Sequence, residues 1–471
     1  MMGVIRVQMS DLRNERPLST RGLRWIVPLL GLSLLTLAAI GYRYDPPAYF
    51  RAMTVVMLHP YPLPFIDAQQ LPALIDCWKH GVDVYVSAPC DPLHRPFAYS
   101  PLWLRATFLP TWKNWMGLAL DAAFLMSLTL LPQPRRLPDL VVVTLATFSS
   151  MPVFALERAN MDVVMFLLVI GAGWCWVRSL SVRLAGYALI AFAGLLKFYP
   201  LLLFLLFLRE RTAYFIALCV VVFALLTGFV WHYQGELREM AKSLPSYPAF
   251  SICFSYLQLP FGLGVALRWL LEDAGLRNAF VLESLGSALF TIEILCVLAV
   301  AAITIAFRLS RRTDLRSALT ALTPSESAFL IIGAALISGC FFAVQNDSYR
   351  GIYLLFVIPG LLALSAVPAT HGVRVVFRIT AFAIVFVLWG MTIQLIIARL
   401  SGGSSDPIGN SAAVYFYWII RELTWWWIVS VLLAFLFCFI AQSPVWRAIT
   451  GSEAEPRNTR RRVNQTVASR A

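Results

Sequence analysis

Apolar residues dominate this chain in runs of about 18 or more, recurring from residue 25 to residue 441 with short polar breaks between them. That pattern predicts an all-α, polytopic membrane protein. Twelve segments read as membrane-crossing: 25–42, 115–131, 137–154, 161–177, 184–196, 201–208, 213–231, 285–307, 328–343, 352–367, 379–398 and 424–441. The fifth and sixth are short. They read as two half-spans broken at Phe198-Tyr199-Pro200, because proline removes an amide donor and disfavours helix at the residue before it. The organisation expected is an amino-terminal tail over 1–24, one membrane domain over 25–450, and a polar, basic tail over 451–471 without regular structure.

Two connections are long. The first loop, 43–114, is rich in Pro, Tyr, Trp and Asp, more than a simple link between spans requires. The second, 232–284, contains an amphipathic stretch over 261–276 that reads as a helix lying on the membrane surface.

Composition supports one membrane unit rather than several soluble domains: 59% of the 471 residues are hydrophobic and 13% charged. The net charge of +13 would suit a nucleic-acid partner, but the basic residues are scattered in short loops, so no nucleic acid is expected. All but four of the 38 basic residues are Arg. With the break at 198–200, the amino-terminal side holds about 23 Arg and Lys in about 100 residues, against about 15 in about 165 on the other. The positive-inside rule then places both termini in the cytoplasm and both long loops outside, in a plasma (inner) membrane. The amino-terminal segment carries five Arg ahead of its apolar run and reads as a retained anchor. Six of the eight cysteines lie in or beside apolar segments; Cys77 and Cys90 share the first loop, where an oxidising compartment would let them pair.

Several polar residues stand where chemistry is a reading beside structure. Asp67, followed by Ala-Gln-Gln-Leu, reads as a helix N-cap or as a catalytic acid. Asp83 and Asp91 fit turns equally well. Arg158, Asn160 and Asp162 cluster between two spans. Lys197 lies inside an apolar stretch; it either serves a function or snorkels to the interface. Asp121 and Glu293 are further acids within spans. Arg350, in the polar turn Gln345-Asn-Asp-Ser-Tyr-Arg350, presents a fork of donors suited to a phosphate.

Four of these features resemble the GT-C superfamily of membrane glycosyltransferases, and more closely glycosyltransferase family 87. They are Asp67 early in the first loop, Gly81-x-Asp83-x-Tyr85, Phe97-x-Tyr99-x-Pro101 before the next span, and Leu196-Lys197-x-Tyr199-Pro200 within the membrane. The resemblance runs through about 66–200 and continues in outline beyond. It implies a GT-C-like fold and inverting transfer of a hexose, mannose in the related enzymes, from a polyprenyl-phosphate donor to a lipid or glycan acceptor at the outer face. Asp67 would be the general base, Lys197, Arg158 and Arg350 would meet the donor phosphate, and Asp83, Tyr85, Tyr99, Asn160, Asp162 and Tyr199 would bind substrate. The resemblance implies no cofactor and no metal. The alternative class is a transporter or flippase using Lys197, Asp121 and Glu293 as pathway charges.

Overall fold

The computed structural model describes residues 20–56, 60–61, 63–112, 115–243, 248–273, 280–343, 345–367, 370–402 and 411–451. Most of the amino-terminal tail and the tail beyond 451 lie outside the described residues. Among the described residues the regular structure is all helical, and the only strand-like pairing is an isolated bridge between Phe254 and Asn346.

The helices are α1 (Thr20–Tyr44), α2 (Pro46–Val56), α3 (Ile66–Lys79), α4 (Met116–Ser127), α5 (Leu137–Thr147), α6 (Ser150–Glu157), α7 (Met161–Trp176), α8 (Leu180–Leu196) and α9 (Thr212–Lys242). There follow α10 (Gln258–Asp273), α11 (Phe280–Ser310), α12 (Thr313–Thr320), α13 (Pro324–Ala343), α14 (Leu354–Ala366), α15 (His371–Leu388), α16 (Gly390–Leu400), α17 (Ala412–Gln442) and α18 (Pro444–Thr450). Seven described helices are long and apolar enough to cross a membrane, or eight if the bent pair α5–α6 is one span. The protein is therefore a polytopic, membrane-embedded helical protein. The other segments read as spans form shorter apolar helices, including a 3-10 stretch over Tyr199–Arg209.

Burial separates centre from periphery. In α13, and in the span Ser348–Ala366 that joins a 3-10 turn to α14, 78% of the apolar window is buried, against 6% in α9 and α11. The centre is aromatic: Phe166 of α7 stacks on Phe356 of α14 at 4.4 Å and meets Phe124 of α4 at 4.7 Å.

Two segments read as continuous spans are broken. The stretch 137–154 bends by 47° between α5 and α6. Pro152 has no amide to give the Phe148 carbonyl one turn back, and the helix restarts at Ser150. The stretch 379–398 divides at Trp389 into α15 and α16. The two breaks meet, because the buried Ser150 hydroxyl donates to the Leu388 carbonyl at 2.9 Å. The second loop is more helical than its length suggested: α9 continues to Lys242 through a kink at Tyr233, and α10 covers the amphipathic stretch as far as Asp273, its last three residues lying outside the described residues.

The first loop folds as a small helical unit. Its α3 docks end-on against α6, with the Phe65 amide donating to the Glu157 carbonyl (2.6 Å) and the Asp67 amide to that of Arg158 (3.1 Å). One element's spare N–H groups thereby satisfy the next one's spare carbonyls. Cys77, near the end of α3, is disulfide-bonded to Cys90.

Candidate functional site

The α3–α6 junction delivers Asp67 to a buried polar cluster. Helix α3 begins at Ile66, and Phe65 occupies the capping position in the left-handed region (φ 57°) without a side-chain cap. Asp67 is thus inside the first turn, and the N-cap reading is replaced by a different role. Its carboxylate is 1% exposed and accepts four hydrogen bonds. Oδ1 takes Arg95 Nη1 (2.8 Å) and Arg158 Nη2 (3.1 Å); Oδ2 takes Arg158 Nε (2.7 Å) and Asn160 Nδ2 (2.6 Å). Burial works to raise the pKa of Asp67, but the Arg158 charge and hydrogen bond, then Arg95 and Asn160, outweigh it and hold the carboxylate below its ordinary range.

Each arginine is itself positioned. Arg158 lies over the rings of Tyr61 (4.6 Å), Phe154 (5.2 Å) and Tyr349 (5.6 Å), and its Nη1 is 3.8 Å from Asp347. Arg95 is held by Asp91 through Nε at 3.0 Å and Nη2 at 3.2 Å. The disulfide fixes the neighbour of Asp91 to α3, so the Asp91–Arg95 arm is anchored to the helix that carries Asp67.

Asn160 links this group to a second. It caps α7, accepting from the Asp162 amide at 2.9 Å while donating to Asp67. Ala159 before it has φ 44°, a conformation costly for a residue with a Cβ and held here by the surrounding contacts. Asp162, fully buried, accepts from Lys197 Nζ at 2.7 Å, from the Tyr199 hydroxyl, and from the Tyr353 hydroxyl at 3.2 Å. Arg350 Nε stands 3.6 Å from Asp162 and is buried without a hydrogen-bond partner, and its guanidinium lies 4.9 Å from the Tyr199 ring.

Lys197 sits where α8 ends, in extended backbone (φ −157°, ψ 95°) before the 3-10 stretch, as the break at 198–200 requires. Its ammonium is ion-paired inside the protein and lies 5.4 Å from the Tyr99 ring and 5.8 Å from that of Tyr349, so it does not snorkel. The Trp103 indole N–H donates to the Leu196 carbonyl left free by the break, at 3.2 Å, and ties the first loop to it.

The sequence-derived candidates thus divide. Asp67, Arg158, Asn160, Asp162, Lys197, Tyr199, Arg350 and Tyr99 converge. Asp83 and Tyr85 do not: Asp83 is exposed and accepts from the Tyr85 amide within its own turn. Tyr85 is buried between Trp78 and Phe97, in an aromatic row that reaches the site only through Tyr99. Arg95, Asp347 and Tyr353 belong to the site and were not singled out, although Arg95 opens the Arg95-Pro-Phe97 stretch and Asp347 sits in the polar turn of Arg350. Among the described residues no group of three or more His, Cys, Asp or Glu is placed to hold a metal ion.

Comparison of the chain with protein-family models, curated proteins and solved structures finds no match, so the site's own geometry carries the functional reading.

Proposed function

We propose that this protein is a GT-C-type membrane glycosyltransferase that moves a hexose, mannose in the nearest reading, from a polyprenyl-phosphate donor to a lipid or glycan acceptor. The observation that carries the proposal is the convergence of a first-loop carboxylate, Asp67, with the cations Arg95, Arg158, Lys197 and Arg350 in one buried cluster. A transfer of this kind needs a proton acceptor for the incoming hydroxyl and fixed positive charge where the leaving phosphate gains negative charge.

In the reaction, the acceptor oxygen attacks the anomeric carbon, the bond from that carbon to the phosphate oxygen breaks, and its electron pair stays with the lipid phosphate. The acceptor's proton goes to Asp67, and the configuration inverts. With four donors on its oxygens, Asp67 is a weak base while the site is empty. A phosphate that draws one arginine toward itself leaves the carboxylate with fewer donors and makes it a stronger base. Arg350 Nε, a buried donor with no acceptor, suits a phosphate oxygen.

About twelve crossings, cytoplasmic termini and an extracytoplasmic first loop in the plasma (inner) membrane complete the proposal. The Arg distribution favours that orientation, and the Cys77–Cys90 disulfide suits an oxidising side. The charges the transporter alternative would use are dispersed, which favours the transferase reading: Lys197 pairs with Asp162, Asp121 shares a neighbouring cavity with Glu157, and Glu293 is exposed on α11. The test is incubation of the purified protein in nanodiscs with a radiolabelled polyprenyl-phosphate hexose and membrane lipid extract. Appearance of label in a new lipid or glycan product supports the proposal; label that stays in the donor, with solute uptake by the same protein in sealed liposomes, overturns it.

A further inference from the structure

A cavity of about 470 Å³ lies between α1, α2, α4 and α6, beside the cluster described above. Its wall is apolar, with Leu34, Leu35 and Ala38 on α1, Met53 on α2, and Leu118 and Leu125 on α4. Three charged residues interrupt it: the exposed Arg43, and two buried acids, Asp121, 2% exposed, and Glu157, 6% exposed. One oxygen of Asp121 and both oxygens of Glu157 lack a hydrogen-bond partner of good geometry, the Tyr61 amide giving Glu157 only a loose backbone interaction. Elsewhere in this protein buried carboxylates are well supplied, as Asp67 and Asp162 show. A buried polar group without a partner is costly, and two acids sharing one cavity point to a ligand that brings the donors.

We propose that this cavity seats the acceptor, a neutral hydroxyl-bearing lipid whose chain lies along α1 and α4 and whose headgroup hydroxyls donate to Asp121 and Glu157. The proposal rests on the transferase reading and names its acceptor class. The two sites differ in what they offer: the cluster presents Arg95, Arg158, Lys197 and Arg350 to a lipid phosphate, whereas this cavity presents two under-supplied carboxyl groups and, among its lining residues, Arg43 as its cation. Position favours the acceptor as well. Glu157 directly precedes Arg158, which grips Asp67, and Phe65 of the cavity wall stands two residues before Asp67. Leu34 both lines the cavity and is 45% exposed, which gives a chain a way in from the bilayer. The volume falls in the range of about 300–1,000 Å³ typical of small-ligand sites, which suits one chain and a compact head.

Photo-crosslinking in nanodiscs tests this, using an alkyl glucoside with a diazirine midway along its chain. The expected labelled peptides come from residues 31–43 and 118–125. Unlabelled glucosyl monoacylglycerol competes with labelling, and dodecyl phosphate does not. Asp121→Leu with Glu157→Leu weakens the glucolipid competition by roughly tenfold or more, since hydrogen bonds to two carboxylates are lost. Equal competition by dodecyl phosphate, or by a single-chain lipid lacking hydroxyls, overturns the proposal in the wild-type protein alone, whatever the variants' folding. So does unchanged glucolipid competition in the Leu variants. Binding is read without turnover. Selective labelling in a protein that transfers no sugar overturns the transferase reading and not the cavity assignment. Transfer with an acceptor KM unaltered by the Leu variants overturns the assignment alone.

Discussion

Arg158 grips Asp67 with two nitrogens of its guanidinium, Nε to Oδ2 at 2.7 Å and Nη2 to Oδ1 at 3.1 Å, across 91 residues of sequence. The pair is buried, and neither side chain reaches it by local geometry. Helix α3 presents the carboxylate, the end of α6 presents the guanidinium, and backbone hydrogen bonds between the two helix ends fix the distance. Arg158→Met should therefore destabilise the protein strongly, by about 3–5 kcal/mol, because it leaves a buried carboxylate partly unpaired. Arg95→Met should cost less, since that side chain is 27% exposed. Thermal unfolding of the two variants in nanodiscs checks the order; equal losses would remove Arg158 from its central place.

The depressed pKa of Asp67 has a pH consequence. Its folded value lies below the unfolded value of about 3.9, so the stabilisation it brings is present above that pH and is lost as pH falls through the folded pKa. Stability should show no dependence on Asp67 between about pH 5 and 8. Catalysis adds a second signature. kcat/KM reports the free enzyme and kcat the substrate complex, so the acid limb of kcat should lie at higher pH than that of kcat/KM if bound phosphate draws an arginine away. Coincident limbs would mean that donor binding leaves the Asp67 contacts as they are.

The Cys77–Cys90 bond closes a short loop that carries Asp91 toward Arg95. Cys77→Ser with Cys90→Ser should lower stability by about 3 kcal/mol, the size expected for a loop of this length, and should lower turnover through a looser Arg95. Differential alkylation with mass spectrometry establishes the bond first. Finding both thiols free in protein isolated under non-reducing conditions would contradict this and the extracytoplasmic placement of the loop together.

What the sequence made legible was local. Lys197 in an apolar run and Pro200 three residues later announced a broken helix with a cation at the break, and the structure places Lys197 there. Asp67 stood out by its place in a long polar loop, but its partners did not. Arg95 is 28 residues away from it and Arg158 is 91, and no spacing rule links them before the chain folds. Asp83 and Tyr85 looked like site residues because they share a motif; their side chains instead serve a turn and an aromatic core. The bend between α5 and α6 was hidden by continuous apolarity, although Pro152 marked it. The unpartnered pair of Asp121 and Glu157 depends on helix packing and has no trace in spacing.

Lys197→Met removes a charge from the second half of the cluster and leaves Asp162 with Tyr199, Tyr353 and the nearby Arg350. The expected effect is a loss of about 1.5–3 kcal/mol of transition-state stabilisation, roughly tenfold to over a hundredfold in kcat/KM for the donor. Lys197→Arg should restore only part of it, because a planar fork does not replace a compact ammonium beside Asp162. Wild-type kcat/KM at limiting donor for the Met variant would confine Lys197 to a structural ion pair.

The most direct test of the transferase account is sugar transfer by Asp67→Asn, assayed in nanodiscs with a synthetic polyprenyl-phosphate hexose and a hydroxyl-bearing lipid acceptor. Asparagine keeps the size of the side chain and one oxygen to accept from the surrounding donors, but it removes the charge that pairs with Arg158 and Arg95, so the variant should be less stable and its folding is verified by thermal unfolding before assay. It cannot take the acceptor's proton, and turnover should fall by about 10²–10⁴-fold with donor binding largely retained. Turnover within a few-fold of wild type by a folded Asp67→Asn protein would contradict the account and return Asp67 to the role of structural anchor for Arg158 and Arg95.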